Sequence, residues 1–117
     1  MNPDLKTIIK AADSKHAANI QVLDIREISI ISDYFIIMSG DTNRQVQAIA
    51  NEIIDQAKKN DVVVNRVEGL SEAQWVVIDL GDYLVHIFDQ ESYEYYQLYR
   101  LWSNAKNIDV SDLIVEN

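Results

Sequence analysis

The chain has 117 residues, a formal net charge of −9 and no cysteine. That length suits one two-layer domain spanning 1–117, and the absence of thiols excludes disulfides and thiolate catalysis. No apolar run approaches the roughly 20 residues of a membrane span, and the opening Met1–Asn2–Pro3–Asp4–Leu5 lacks the basic start and apolar block of a signal peptide, so a cytoplasmic protein is expected.

The charge is uneven. Residues 1–58 hold 8 acids and 6 bases, whereas residues 59–117 hold 11 acids and 4 bases. Such a surface repels phosphate, which disfavours direct binding of DNA or RNA, and it attracts a basic protein.

In chain order, Asn2 caps a first helix, with Pro3 at its first position and Asp4 in its first turn. Leu5, Ile8, Ile9, Ala12 and His16 share one stripe, and Asn19 closes the helix. Residues 20–25 read as a strand. Residues 28–31 are apolar but too few to assign. A nearly continuous apolar strand over 33–38 is expected to be central and buried on both faces, with Ser39–Gly40–Asp41 as the turn after it. The second helix opens on a capping box in which Thr42 and Gln45 reciprocate. It buries Val46, Ile49, Ala50, Ile53, Ile54 and Ala57, and ends with Lys58 and Lys59 against the dipole and Asn60 as a left-handed cap. Residues 62–64 read as a short strand and 68–74 as a loop.

Residues 75–88 read as a β-hairpin around Gly81–Asp82, a Gly-first pair suited to a primed turn. That register pairs Leu80 with Tyr83, Ile78 with Val85 and Val76 with Ile87, all on one wholly apolar face. The other face carries Trp75, Val77, Asp79, Leu84, His86 and Phe88, a mixture suited to docking. Next, Asp89 opens a tyrosine-rich helix through Tyr93, Tyr95, Tyr96, Leu98, Tyr99, Leu101 and Trp102. Its tyrosines surround much of the circumference, so some must be exposed or sit in an interface. Ile108, Val110, Leu113 and Ile114 form a weak apolar set with no assigned element. The order helix, two strands, helix, three strands, helix gives an α/β (α+β) domain with a mixed sheet of about five strands flanked by helices.

Catalytic constellations are scarce. His16 and His86 are the only histidines, and two distant imidazoles without cysteine make neither a zinc site nor a nucleophile–base pair. Asp82 occupies the hairpin turn and points away from the strand face bearing Asp79, which argues against a magnesium pair. No cofactor or metal is implied.

The fragments Asp24–Ile25–Arg26, Asp33–Tyr34–Phe35, Ser39–Gly40, Arg44–Gln45–Val46 and Ala48, then Trp75, Asp79–Leu80–Gly81–Asp82, Val85–His86–Ile87–Phe88, Tyr96, Leu98 and Leu101–Trp102, together resemble the iojap-like family, the bacterial ribosomal silencing factors. The resemblance implies a nucleotidyltransferase-like fold without its activity, consistent with Ser39–Gly40 standing where a Gly-Ser motif and a following Asp-x-Asp pair are needed. It also implies a translational repressor that binds the large ribosomal subunit through its basic protein L-fourteen under nutrient limitation. Joining of the small subunit is thereby blocked, and a role in large-subunit biogenesis is implied for organelle members. Tyr93 stands where the family carries Arg, and Tyr99 where it carries Glu. Partner contacts are expected from Trp75, Asp79, His86 and Phe88 on the hairpin and from Tyr96 and Trp102 nearby, with a homodimer through the same face when free. The alternative is a nucleotide-binding or nucleotidyltransferase-type enzyme, with Ser39, Gly40 and the helix starting near Asn43 holding phosphate at exposed amides.

Overall fold

Asn2 caps the first helix as its sequence dictates, its Oδ1 accepting from the Asp4 amide at 2.8 Å beside Pro3. In the computed structural model, which describes residues 2–114, this helix, α1, runs Pro3–Ser14. It closes in a Schellman motif. The Ala17 amide reaches the Ala12 carbonyl at 3.1 Å and the His16 amide that of Asp13 at 2.9 Å, with His16 left-handed at φ 62. Asn19, expected as the closing residue, instead lies within strand β1 (Ala18–Asp24), where its side-chain amide donates to Ser39 Oγ at 2.9 Å. Residues 28–31 form no strand. They stand out from the surface between β1 and β2, with Ile28, Ile30 and Ile31 exposed.

Strand β2 (Tyr34–Gly40) is central, and its residues from Phe35 onward are buried. It continues through Ser39 and Gly40, expected as a turn, because both remain paired with the neighbouring strand. A Cβ on Gly40 would meet Val46 Cγ2 at 3.2 Å and Ile49 Cδ1 at 3.3 Å, so glycine here admits the helix α2 (Asn43–Lys59). The capping box at its start is shifted by one residue. Thr42 Oγ1 accepts from the Gln45 amide at 3.1 Å, but Gln45 Oε1 takes the Asp41 amide at 2.6 Å, and Gln45 Nε2 donates to the Lys15 and His16 carbonyls at 3.1 Å. The left-handed residue at the far end is Asp61 at φ 60, not Asn60. Val62 then closes a second Schellman motif on Ala57 at 2.8 Å. That use of residue 62 removes 62–64 from the sheet, and pairing begins later, in β3 (Arg66–Glu68).

Strands β4 (Trp75–Asp79) and β5 (Tyr83–Asp89) form the hairpin in the expected register, with Val76 opposite Ile87 and Ile78 opposite Val85. Leu80 and Tyr83 close it at 2.9 Å, and Gly81 takes φ 85. The turn also anchors β2. The Asp82 carbonyl accepts from the Asp33 and Tyr34 amides at 3.1 and 3.0 Å and from Ser32 Oγ at 2.8 Å, which sets β2 parallel to β5.

The single long helix expected after the hairpin is broken. Gln97, left-handed at φ 49, separates α3 (Gln90–Tyr96) from α4 (Leu98–Leu101). The unassigned tail forms β6 (Lys106–Ile108) and a 3₁₀ turn at Ser111–Leu113. The sheet therefore has six strands rather than five, in the order β3-β4-β5-β2-β1-β6. Only β2 and β5 run parallel among the described residues.

The two faces carry separate cores. On one, α1 and α2 cover Val22, Ile36, Met38, Val76, Ile78, Val85 and Ile87, joined at the edge by Val110 from the tail. On the other, α3 and α4 cover Leu23, Phe35, Ile37 and Phe88. Gly69 (φ 81) makes the bend into β4 possible, since a Cβ there would sit 2.3 Å from the Trp75 carbonyl oxygen. Gly69→Ala is expected to cost about 1–2 kcal/mol of stability, read as a lower urea midpoint. An unchanged midpoint would contradict it.

Candidate functional site

Cross-strand register orders the side chains on the face beneath α3 and α4. One row runs Leu23, Phe35, Leu84, Asp79 and Arg66, and the next runs Gln21, Ile37, His86, Val77 and Glu68. Ser39, Phe88 and Trp75 form a third row. Because α3 and α4 lie over these rows, the expected open face is filled. Phe88 is 1% exposed and His86 is 5% exposed. Neither presents its side chain to a partner from the sheet surface.

The two helices are held there by rings rather than by length. Asp89 Oδ1 caps α3 by accepting from the Ser92 amide at 2.8 Å, but neither helix has a fully buried residue. Trp75 and Phe88, directly opposite across the hairpin, place their rings 4.9 Å apart, and Tyr96 lies 4.9 Å from Trp75 on the other side. Tyr93 meets the Phe88 ring at 6.4 Å in a T-shaped contact. Trp102 packs edge-on against Phe35 at 4.9 Å, and Phe35 in turn against His86 at 4.8 Å.

The structure thus joins five of the six sequence-derived site residues into one aromatic cluster. Asp79 stands apart, at the far end of β4, where its Oδ1 accepts from the Gly81 amide at 2.9 Å and stabilises the turn. Trp75 is half-buried at the rim and Tyr96 is 49% exposed. Between them opens a shallow recess bordered by Gly69, Glu72, Gln74 and Ser92. Phe35 and Leu98 belong to this cluster and were not identified from sequence. Phe35 reaches it through the parallel β2–β5 pairing, which no local pattern encodes.

Inside the cluster, the Trp75 indole Nε1 donates to His86 Nδ1 at 3.1 Å, while His86 Nε2 is buried with no partner. Burial pushes the imidazole pKa down to about 4 from its ordinary 6.5. Burial likewise raises that of the Tyr93 phenol.

At the start of α2, where the alternative reading places a phosphate, several polar groups are already engaged within the chain. Ser39 is fully buried, Asp41 and Gln45 donate their amides to side chains, and Asn43 Nδ2 bonds the Ala73 carbonyl and Asp89 Oδ2, both at 3.0 Å. Among the described residues, no three His, Asp or Glu side chains gather into a metal-binding group.

A family model described as "Ribosomal silencing factor during starvation" matches residues 1–117. The chain belongs to that family. It is 46% identical over 106 residues to the ribosomal silencing factor of Bacillus subtilis (strain 168), a match covering 91% of this chain and 90% of that one. An X-ray crystal structure of a Chromobacterium violaceum protein aligns with a TM-score of 0.84 at 30% identity, over 88% of each chain. A mouse protein named for mitochondrial assembly of the ribosomal large subunit is 26% identical over 104 residues, which are 86% of this chain and 45% of that one. In this silencing-factor chain, Tyr93 and Tyr99 meet across the break at Gln97. Their rings stack at 5.4 Å with an interplanar angle of 23°.

Proposed function

We propose that this chain is a non-catalytic translational repressor. It docks on the large ribosomal subunit in the cytoplasm, through the basic protein L-fourteen, and keeps the small subunit from joining when nutrients are limiting. The observation that carries this reading is the rim where half-buried Trp75 packs, at a tilt of 48°, against exposed Tyr96. Such amphipathic rings beside a buried support have the character of interface hot spots. They also lie in the half of the sequence that holds 11 acids against 4 bases, which suits a basic partner. His86, Phe88 and Trp102 serve the same rim from below, and Asp79 offers a carboxylate further along β4 for lysine or arginine. A free copy pairs with a second copy in a C₂ arrangement through this rim, and docking on the ribosome competes with that pairing.

The test is subunit joining followed by light scattering, with purified subunits and the full chain. The wild-type protein is expected to suppress the joining signal. Trp75→Ala is expected to weaken large-subunit binding by at least about 2 kcal/mol, about 30-fold, and so to restore joining. Wild-type suppression by folded Trp75→Ala would reject the rim. Unimpeded joining with the wild-type protein bound would reject silencing by steric block in favour of work in subunit biogenesis.

A further inference from the structure

The position of His86 is hard to explain by packing alone. Its ring lies among Phe35, Trp75 and Phe88, where a leucine or phenylalanine would fill space without leaving a buried nitrogen unpaired. Among the described residues, the one polar contact its ring makes is the hydrogen bond accepted from Trp75. For Nδ1 to accept, its lone pair must be free, so the proton resides on Nε2, the nitrogen that has no partner. The bond has a clear effect on the indole. Trp75 sits at the rim with water on one side, and without an inward acceptor its N–H would gain by turning outward. With the acceptor in place, the polar edge points into the cluster and the indole packs at a tilt against Phe88 and Tyr96, each 4.9 Å away.

We propose that His86 is a positioning residue for Trp75, holding the indole from beneath in the single orientation that Tyr96 packs against and that a partner protein meets. Its consequence at the ribosome rests on the docking reading above, whereas the hydrogen bond itself can be tested on the free protein. The role follows from pre-organisation. An anchor ring fixed before contact does not lose rotamer freedom on binding.

The test combines ring and indole NMR of ¹⁵N-labelled protein at neutral pH with large-subunit binding. In the wild-type protein the His86 ring is expected in the Nε2–H tautomer, and the Trp75 indole proton is expected to exchange with water slowly. His86→Phe keeps an aromatic ring but removes the acceptor, and is expected to speed that exchange at least about tenfold and to weaken binding about tenfold. His86→Asn carries an oxygen where Nδ1 stood, and is expected to restore the slow exchange and most of the affinity, which a purely space-filling role would not do. An Nδ1–H tautomer in the wild-type protein overturns the proposal without any variant having to fold. Unchanged indole exchange and affinity in His86→Phe overturn it as well. If Trp75→Ala leaves binding intact, the docking reading falls, and the tautomer and exchange results still decide whether His86 positions the indole.

Discussion

Phe88→Ala is expected to lower the unfolding free energy by about 3–5 kcal/mol, the range for truncating a buried phenylalanine. Phe88 is 1% exposed and faces Trp75 at 4.9 Å, Tyr96 at 6.2 Å, and His86 and Tyr93 at 6.4 Å. The helices above it have no independent means of staying in place. α3 has 7 residues and α4 has 4, far below the length at which an isolated helix is stable in water. Removing the ring therefore does more than leave a cavity, because it deletes the contact through which Tyr93 and Tyr96 hold α3 to the sheet. The loss should be polarised. Hydrogen exchange in α3 and α4 should accelerate most, while α2, with Val46, Ile49, Ala50 and Ile53 buried on the opposite face, should keep its protection. Urea unfolding followed by circular dichroism and by tryptophan fluorescence gives the magnitude. A cost below about 1 kcal/mol, or exchange accelerated equally on both faces, would show that the second core does not depend on this ring.

That second core also marks the limit of what could be read from the sequence. The hairpin was legible in register because its determinants are local: alternation on both sides of a glycine whose conformation suits the turn. The helix starts at Asn2 and Thr42 were legible for the same reason. The closures were read slightly off because a Schellman motif is defined by backbone bonds, not by residue type. Its left-handed position fell to His16 and Asp61, neither of them glycine. The face carrying Trp75, His86 and Phe88 was legible as aromatic, and the structure shows it filled from within, because residues 90–102 fold back over it at a break made by Gln97 in a left-handed conformation that glutamine does not advertise. The sixth strand was missed because three residues with one apolar member acquire strand geometry only by pairing with β1, more than 80 residues earlier in the chain. Tyr93 and Tyr99 stack across that break, a contact that helical spacing does not encode. Sequence grouped the rings that the structure brings together in one cluster. It could not separate Trp75 and Tyr96 at the rim from His86 and Phe88 beneath, since that distinction is made by tertiary cover alone.

Lowering the pH from 7 to 4 is expected to destabilise the fold by roughly 3 kcal/mol through His86. Its pKa is about 4 in the folded chain against an ordinary 6.5. Between those values the unfolded chain binds a proton that the folded chain refuses, so stability rises with pH through this window and is lost as the pH falls. The cause is burial alone. The ring's surroundings are aromatic, the Asp79 carboxylate is turned to the Gly81 amide, and Glu68, at the end of the same row, is exposed beside Arg66 at 3.6 Å. Among the described residues, no counter-charge awaits the imidazolium. Asp24, held below its ordinary 3.8 by the hydrogen bond from Arg26, acts elsewhere on the scale. The stability it contributes is fully present above that value and is lost only below it. The His86→Asn chain isolates the histidine effect between pH 6.5 and 4, because it keeps every other titrating group and cannot itself titrate there. Unfolding free energies from urea at half-unit steps should fall for the wild-type protein and stay flatter, by roughly 3 kcal/mol over the window, for the variant. Parallel curves would mean that the ring reaches water or a counter-charge on protonation. Protonation of the ring is also expected to loosen α3 before the rest of the fold, because the imidazolium lies directly under the Phe88, Trp75 and Tyr96 contacts that hold that helix.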